Sequence, residues 1–527
     1  MRLAVVVPPI RDFYLTPHRL SALGAKIVAD LCQRAGHKVT LFLFPLEGKA
    51  HVLPLPPEAS HLLAYIVPGE FGPLSFFTRF QHFGPPFEIC AHRILATRPD
   101  AILISCFAFA YAEEAVALAQ ALKMMDPDVV IAVGGAGPSA CPEYFLGQEA
   151  RSNPNSPADY LFDFVVGGEG EVTIPLLLEQ LEQRTVGGGR AQGSGRKGIA
   201  TGVEPQWIPA DRLCREQELS APIAVLKETA DEIWAATSLS RGCPRRCMFC
   251  SNHLCHGRQF RVASLDSLEQ ALKKLPPRRG LHLNFEDDNL LHAAGYFFEA
   301  LGLVKSSWPQ VEFTAENGLD YHLLDPITID RLIQYGFRRF NLSVGTIHPE
   351  TASQVSRPVD LSHYKEVVRE IHNRGATSVT YFIAGLAKDT PEGIVHQIQY
   401  LHRLPTLIGI SLFYPVPGLP GFTPPPPLMT QNPGVARGSF AYPWTGSLTT
   451  GEMITAFRLC RYVNLLKKAK KTLQEEELIE RIREQGRLQT FQKQVASPQS
   501  GKNHLPNRWA FREVPGDEKM VKLFFSH

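Results

Sequence analysis

The chain has 527 residues, of which 44% are hydrophobic, and a formal net charge of +2. At roughly 150 residues per domain, this length suggests about three folded units. The small net charge, with basic and acidic residues mixed, implies neither a nucleic-acid partner nor an anionic membrane surface. No apolar run reaches the roughly 18 residues of a membrane-spanning helix, and dispersed cysteines are unlike a secreted disulfide framework. We expect a cytoplasmic protein without a transmembrane segment.

The first region, residues 1–183, alternates short β-branched runs with helical patterns. Strands are predicted at 3–7, 38–44, 100–107, 129–135 and 163–171. Helices are predicted at 20–36, 112–125 and 173–183. Alternation of this kind, with continuously apolar strands, is typical of a parallel sheet covered on both faces. The sequence therefore predicts an α/β domain of the Rossmann-like class.

A linker is predicted over residues 184–230. Its first part, "RTVGGGRAQGSGRKG" at 184–198, is rich in Gly, Arg and Ser and has no apolar periodicity. Such a composition favours a flexible connection between domains.

A second alternating series occupies residues 231–420. Its predicted strands lie at 234–240, 281–287, 311–316, 338–344, 377–385 and 407–415, with helical patterns between them. Six units are too few for an eight-fold barrel but suit a partial (β/α)6 barrel. Barrels of this type work at the carboxyl ends of their strands, so we expect the catalytic centre in the loop after the first strand.

The last region, residues 421–527, begins with a Pro-rich segment, "FTPPPPLMT", that is predicted to be extended. A charged, helix-prone stretch follows at 453–482, and a polar tail is predicted from about 494.

Four cysteines lie within the stretch "SRGCPRRCMFCSNHLCHG" at 240–257. Cys243, Cys247 and Cys250 form a C-x-x-x-C-x-x-C array, which is able to hold three corners of a [4Fe–4S] cluster and leave the fourth iron open. The alternative is a closed structural zinc site, completed by His253, Cys255 or His256.

The array and its surroundings resemble the radical S-adenosylmethionine (SAM) superfamily. The matching segments are "RGCPRRCMFC", "NFEDDNLL" at 284–291, "FIAGLAKDTPEGI" and "PVPGLPG" at 415–421. The resemblance implies that Phe249 shields the cluster. It further implies that SAM lies near Asp287, Asp288, Glu316 and Ser343. The alternatives are that Asp287 and Asp288 cap the following helix and that Glu316 belongs to a turn.

The N-terminal region resembles the cobalamin-binding domain that is fused to many radical SAM proteins. The segments "GGAGPSACPEYFL" at 134–146 and "DFVVGGEGEVT" at 163–173 carry this resemblance. It assigns cobalamin contacts to six residues, namely Ser105, Gly134, Gly135, Ser139, Gly168 and Glu169. The alternative for Glu169, together with Glu171, is that they cap the following helix and join the domains. Gly137 stands where relatives often have His, and the region has no D-x-H-x-x-G motif, so cobalamin is expected to bind without a histidine ligand.

Together these resemblances imply an enzyme that uses a [4Fe–4S] cluster, SAM and cobalamin. The reaction they imply is methylation of an unactivated carbon in a small-molecule or lipid substrate, with an electron donor such as flavodoxin or ferredoxin as partner. The alternatives are a cyclisation or rearrangement, with or without cobalamin, and a sensory protein whose cluster is structural. Cys255 is either a thiol that acts on a radical or an ordinary packed cysteine.

Overall fold

The computed structural model describes residues 1–14, 22–66, 72–77, 79–150, 159–187, 204–493, 509–513 and 516–526. The polypeptide forms two compact units. The first comprises Met1–His51, Gln81–Asn317 and Pro415–Ala436, and the second comprises Val52–Phe80, Gly318–Tyr414 and Arg437–His527.

Strands of the chain up to residue 317 are β1 Arg2–Val7, β2 Ile10–Asp12, β3 Lys38–Leu43, β4 His51–Val52, β5 Gln81–Phe83, β6 Ala101–Ser105, β7 Ile131–Gly134, β8 Glu149–Ala150, β9 Asp159–Tyr160, β10 Phe164–Val166, β11 Gln206–Ile208, β12 Ile223–Glu228, β13 Glu232–Thr237, β14 Ser240–Arg241, β15 Arg261–Val262, β16 Gly280–Phe285 and β17 Val311–Thr314. Helices of the same part are α1 Leu23–Arg34, α2 Phe87–Ala96, α3 Ala112–Met125, α4 Ala136–Ala140, α5 Pro142–Leu146, α6 Gly170–Gly187, α7 His253–His256, α8 Leu265–Leu272 and α9 Ala294–Ser307.

Beyond residue 317 the strands are β18 Arg339–Gly345, β19 Thr377–Ala384, β20 Leu407–Leu412, β21 Gln489–Lys493 and β22 Trp509–Glu513. The helices there are α10 Pro326–Tyr335, α11 Pro349–Gln354, α12 Leu361–Asn373, α13 Pro391–His402, α14 Pro427–Gln431, α15 Thr450–Lys467, α16 Leu473–Gln485 and α17 Glu518–Phe525.

The first unit contains a six-stranded sheet in the order β11-β10-β7-β6-β1-β3. Its neighbouring strands are parallel. Helices α1 and α6 bury one face of the sheet, where Val5, Leu103 and Ala132 pack with Ile174 and Leu177. The chain leaves β1 towards β3 on one side and reaches β6 on the other, so the strand order reverses beside β1, where ligands bind in open parallel sheets.

A second sheet of this unit has the order β12-β13-β16-β17. Strands β13, β16 and β17 are parallel, and β12 joins β13 antiparallel. The short strands β14 and β15 form an antiparallel ribbon just beyond β13.

The second unit contains the parallel sheet β18-β19-β20. Helices α12 and α15 pack on strands β19 and β20, respectively, and α17 packs on α13 and α15. The described part of the chain has no helix that is both long and apolar enough to span a membrane.

The expected α/β class is confirmed, with a Rossmann-like N-terminal sheet and a second parallel strand-helix series. All six strands predicted between residues 234 and 415 are present, each within a few residues of its predicted bounds. They form two parallel groups, β13-β16-β17 in the first unit and β18-β19-β20 in the second.

Three local expectations are corrected. The Pro-rich segment is extended only in part, because α14 begins at Pro427, and proline suits the first turn of a helix. The predicted helical stretch is two helices, since Thr472 caps a new helix after α15 ends. The chain end is not merely a polar tail, because α17 buries Met520, Val521 and Phe524. Within the predicted linker 184–230, helix α6 extends to Gly187 and residues 188–203 lie outside the described residues. The rest contains strands β11 and β12.

Candidate functional site

The cysteine loop, residues 242–260, leaves β14 and returns to β15. These two strands pair directly, Arg241 opposite Arg261, so the loop closes on its own ends. Gly242 has a φ of +81°, and a Cβ at this position would lie 2.1 Å from the carbonyl oxygen of Gln259. Only glycine fits such a conformation and such a contact. The glycine directly before Cys243 is therefore required by the closure of the loop.

The three cysteines of the array are free thiols, with Cys247 buried and Cys243 and Cys250 half-buried. Burial is the main cause that raises the pKa of Cys250 to about 11, and the charges of Cys247 and Cys243 act in the same direction. The three thiols are thus close enough to interact electrostatically. Because thiols bind metals as thiolates, bound iron cations would supply the positive charge that these thiolates require.

The described residues include no group of three or more His, Cys, Asp or Glu side chains placed to bind one metal ion. Ligands of a single ion converge on one point, whereas the three thiolates of a cubic cluster bind three separate irons. The assignment of Cys243, Cys247 and Cys250 to a cluster remains a prediction from the motif.

Two buried polar atoms beside the cysteine loop have no hydrogen-bond partner in the described part of the chain. These are Oδ2 of Asp287 and Oδ1 of Asn289. The amide of Asn289 approaches Sγ of Cys243 at 3.7 Å. Unsatisfied buried polar atoms are costly unless a ligand or water meets them, so this position fits a polar bound group.

Asp287 holds the start of the cysteine loop. Its Oδ1 accepts hydrogen bonds from the backbone N–H of Leu239 at 3.0 Å and from Oγ of Ser240 at 2.5 Å. Burial raises the pKa of Asp287 to about 7, against the effect of these hydrogen bonds. One oxygen thus has a positioning role, and only the unpaired Oδ2 is left for a ligand.

Asp288 joins three parts of the same loop. Its carboxylate accepts hydrogen bonds from the N–H of Gly242 at 2.9 Å and from Nδ2 of Asn252 at 2.8 Å, and it lies 3.0 Å from Nδ1 of His256. Burial alone would lower the pKa of His256, but Cys255 and Asp288 raise it. A cationic His256 in turn keeps the pKa of Asp288 below its ordinary value despite burial. Asp288 therefore orders the loop electrostatically.

Two ion pairs tie the turn after β10 to the cysteine loop. Arg241 donates to both carboxylate oxygens of Glu171, at 2.9 and 2.8 Å. Arg261 donates to both oxygens of Glu169, at 2.7 and 3.1 Å. We call these four residues the carboxylate–guanidinium bridge. All four are buried.

A cavity of about 460 Å³ lies in the first unit. On one side it is bounded by β1, β6 and β7 and by helices α1 and α6, through residues such as Val5, Leu103 and Ile27. The other side is formed by polar residues of the cysteine loop and of the loops after β13, β16 and β17, namely Ser238, Arg241, Asn252, Cys255, His256, Glu286, Asp288 and Asn317. An apolar floor with a polar rim is typical of a ligand-binding site.

The predicted cobalamin contacts Ser105, Gly134, Gly135, Gly168 and Glu169 all line this cavity. Two of the glycines are also required by the fold itself. A Cβ on Gly135 would lie 2.6 Å from the carbonyl oxygen of Cys106, and a Cβ on Gly168 would lie 2.5 Å from Cβ of Ala210. Their presence is thus explained by chain packing as well as by access of a ligand.

Ser139 has a connecting role. Its hydroxyl donates to the carbonyl oxygen of Gly135 and accepts from the N–H of Gly168, both at 2.8 Å. It joins the loops after β7 and β10. Gly137 is enclosed as well, because a Cβ there would lie 2.5 Å from Sγ of Cys106, so a larger residue would require the Cys106 side chain to shift.

The remaining predicted residues are more scattered. Phe249 is half-buried in the cysteine loop. Glu316 follows β17, and its N–H donates to Oδ1 of Asn284 at 2.9 Å. Ser343 lies on β18 of the second unit, where its carbonyl oxygen accepts from Arg357 at 2.7 Å. No described contact assigns any of the three to SAM.

Sequence reasoning assigned no cofactor contact to the cavity-lining residues Arg241 and Asn252, and named His256 only as an alternative zinc ligand. Arg241 stands in the quoted R-G-C-P segment, so the motif contained the signal. Asn252 and His256 share one face of the turn that leads into α7, where both approach Asp288. A spacing of four residues predicts such a shared face only when the short helix is recognised.

Two family models match the chain. The radical SAM superfamily model covers residues 237–401, and the B12 binding domain model covers residues 84–178. Hopanoid C-3 methylase of Methylococcus capsulatus is 24% identical over 406 residues, which are 76% of this chain and 68% of that protein. Bacteriochlorophyllide d C-12(1)-methyltransferase of Chlorobaculum tepidum is 24% identical over 190 residues, 35% of this chain and 41% of that protein.

Among solved structures, the fold is similar to that of TsrM from Kitasatospora setae, a radical S-adenosylmethionine methyltransferase. Its form with cobalamin and a [4Fe-4S] cluster superposes with a TM-score of 0.52 at 15% identity, covering 80% of this chain and 74% of that chain. The chain thus carries a B12-binding domain ahead of a radical SAM domain.

Proposed function

We propose that this protein is a cobalamin-dependent radical SAM enzyme that methylates an unactivated carbon of a small-molecule or lipid substrate. The observation that carries the proposal is the cavity of the first unit. It is lined both by the glycine-rich turns of the B12-binding domain and by the loop that bears the cysteine array. One cavity thus adjoins most of the expected cobalamin contacts and the loop that carries the cysteine array.

When bound, the [4Fe–4S] cluster supplies the electron that cleaves SAM, and cobalamin supplies the methyl group. The residues that would hold the cluster are Cys243, Cys247 and Cys250. Asp287 and Asp288 keep the loop that bears them in place through Ser240 and Gly242.

Polar side chains at the carboxyl ends of β13, β16 and β17 would bind SAM. Ser238, Glu286 and Asn317 line the cavity there, offering donors and acceptors for an amino acid and a ribose. Glu316 and Ser343 remain further proposals for the same role.

The cobalamin contacts would come from the turns after β6, β7 and β10, with Ser105 and Gly134 at strand ends. Gly137 itself supplies no histidine ligand at this position. The apolar cavity floor between the sheet and helices α1 and α6 suits the nucleotide tail of the cofactor. We infer binding without a histidine ligand.

The names of two relatives and the chemistry of the cluster indicate the class of substrate and partner. Two relatives are named as methylating a hopanoid and a bacteriochlorophyllide, which supports a largely apolar organic acceptor. Reduction of the cluster requires a one-electron donor, for which a flavodoxin or ferredoxin is proposed. Free thiols and the proposed cluster favour a reducing, cytoplasmic location.

A cyclisation is the second candidate reaction. A further relative, named anaerobic magnesium-protoporphyrin IX monomethyl ester cyclase, from Rubrivivax gelatinosus, is 22% identical over 317 residues, 57% of this chain and 53% of that protein. Methyl transfer is preferred because hopanoid C-3 methylase matches over more of both chains.

Turnover of SAM under strong reductant tests the proposal. The full-length protein, reconstituted anaerobically with iron, sulfide and cobalamin, should form 5′-deoxyadenosine or S-adenosylhomocysteine. The C243A/C247A/C250A variant should form neither product, whereas C32A, which removes a buried thiol elsewhere, should match the wild type. Absence of both products from the reconstituted wild type would contradict the proposal.

A further inference from the structure

The carboxylate–guanidinium bridge connects the two cofactor regions directly. Glu169 and Glu171 belong to the turn after β10, next to Gly168 on the cavity wall. Arg241 immediately precedes the cysteine loop at Gly242, and Arg261 immediately follows the loop on β15. Both ends of the loop are therefore attached to the cobalamin-side turn.

The geometry of the bridge is restrictive. Each arginine meets its carboxylate with two hydrogen bonds, which fixes orientation as well as distance. Glu169 also accepts from the N–H of Cys214 at 2.7 Å, and Arg261 donates to the carbonyl oxygen of Cys214 at 2.7 Å. Arg241 lies 3.7 Å from Glu169, so the four charges form one network.

Burial makes this network intolerant of displacement. Arg261 and Glu169 are each 2% exposed, and Arg241 and Glu171 are each 8% exposed. A buried charge that loses its partner is strongly unfavourable. If the turn after β10 moves, Arg241 and Arg261 must move with it, and the reverse also holds.

Two further contacts join the same two regions as the bridge. The thiol of Cys255 lies 3.6 Å from the carbonyl oxygen of Gly168. Helix α7, at the end of the cysteine array, packs on α4, which follows the turn after β7. The cysteine loop thus contacts both glycine-rich turns of the B12-binding domain.

We propose that the carboxylate–guanidinium bridge couples cobalamin binding to cluster occupancy, so that a cluster-ordered cysteine loop holds the turn after β10 in the conformation that binds cobalamin. The inference rests on the proposed function and adds an energetic link between the two sites. Such coupling is reciprocal, so cobalamin also favours retention of the cluster. The four bridge residues act as positioning residues.

Cobalamin affinity, measured with and without the cluster, tests the coupling. The dissociation constant of hydroxocobalamin is measured by absorbance titration for the full-length reconstituted wild type and for C243A/C247A/C250A. We expect binding to be at least about fivefold tighter with the cluster, the lower end of ordinary coupling between sites.

The same pair of titrations is then made in an E171Q/R241Q background. Removing both charges leaves no unpaired buried ion, so this double variant should fold where a single substitution is costly, and circular dichroism checks this. The dissociation constant without the cluster, divided by that with the cluster, should fall to between one and two.

The control is E47Q/R93Q. Arg93 and Glu47 form another pair with two hydrogen bonds in the first unit, at 2.5 and 3.3 Å, and they do not line the cavity. Its ratio should equal that of the wild type.

The outcomes separate the coupling from the proposed function. Equal affinities in the wild type with and without the cluster, or a ratio that persists in E171Q/R241Q, would overturn the coupling and leave the enzyme assignment intact. A reconstituted wild type that binds iron but no cobalamin would overturn both.

Discussion

At the residue scale, Gly242 shows how a motif position follows from space and backbone conformation. Its Cβ would lie 2.1 Å from the carbonyl oxygen of Gln259, at a φ of +81°. Gly36 has a similar φ of +84° but nothing within 4 Å of its Cβ position. The two glycines therefore share the conformational requirement and differ in the steric one.

We predict that G242A lowers iron incorporation by more than half and that G36A leaves it unchanged. The strained φ should cost each variant about 1–2 kcal/mol of unfolding free energy, and only G242A should also distort the cysteine loop. Iron content after anaerobic reconstitution and denaturant unfolding of both variants check this. Wild-type iron content in G242A would show that the loop closure is not required.

Single positions were predictable from the sequence only where they form a contiguous motif. The cysteine array and the glycine-rich turns could be read directly, because each lies within a dozen residues. The pairing of Glu171 with Arg241 joins residues 70 positions apart, and no local pattern records it. The sequence predicted that Asp287 and Asp288 contact SAM or cap the following helix, whereas most of their described contacts hold the cysteine loop.

At the element scale, the last helix was missed because it is short and its surroundings are polar. Helix α17 has 8 residues, and only its apolar stripe shows that it is buried. Strands such as β1 and β6 were found because continuous burial requires long apolar runs. The barrel-type series was likewise predictable from its repeated strand-helix spacing.

We predict that M520A, on α17, destabilises the protein by about 2–4 kcal/mol, as expected for truncation of a fully buried methionine. Met520 is 0% exposed, whereas Met124, on the exposed face of α3, is 80% exposed. The control M124A should change the unfolding free energy by less than about 0.5 kcal/mol. Urea unfolding of both variants measures the difference, and equal stability would mean that α17 contributes no packing.

At the scale of the whole molecule, the assignment depends on two sequence regions that share one cavity. The sequence predicted a B12-binding region and a cysteine-bearing region, and the structure adds that both line the same space in the first unit. This proximity arises from long-range packing and ion pairs, which single-sequence patterns do not encode.

The central claim is that one chain holds an iron–sulfur cluster and cobalamin together. The most direct measurement is the iron and cobalt content of protein purified anaerobically from cells supplied with cobalamin. We expect about four irons and one cobalt per chain, with the iron lost from C243A/C247A/C250A and retained in C32A. Iron without cobalt, or iron that persists in the triple variant, would contradict the account.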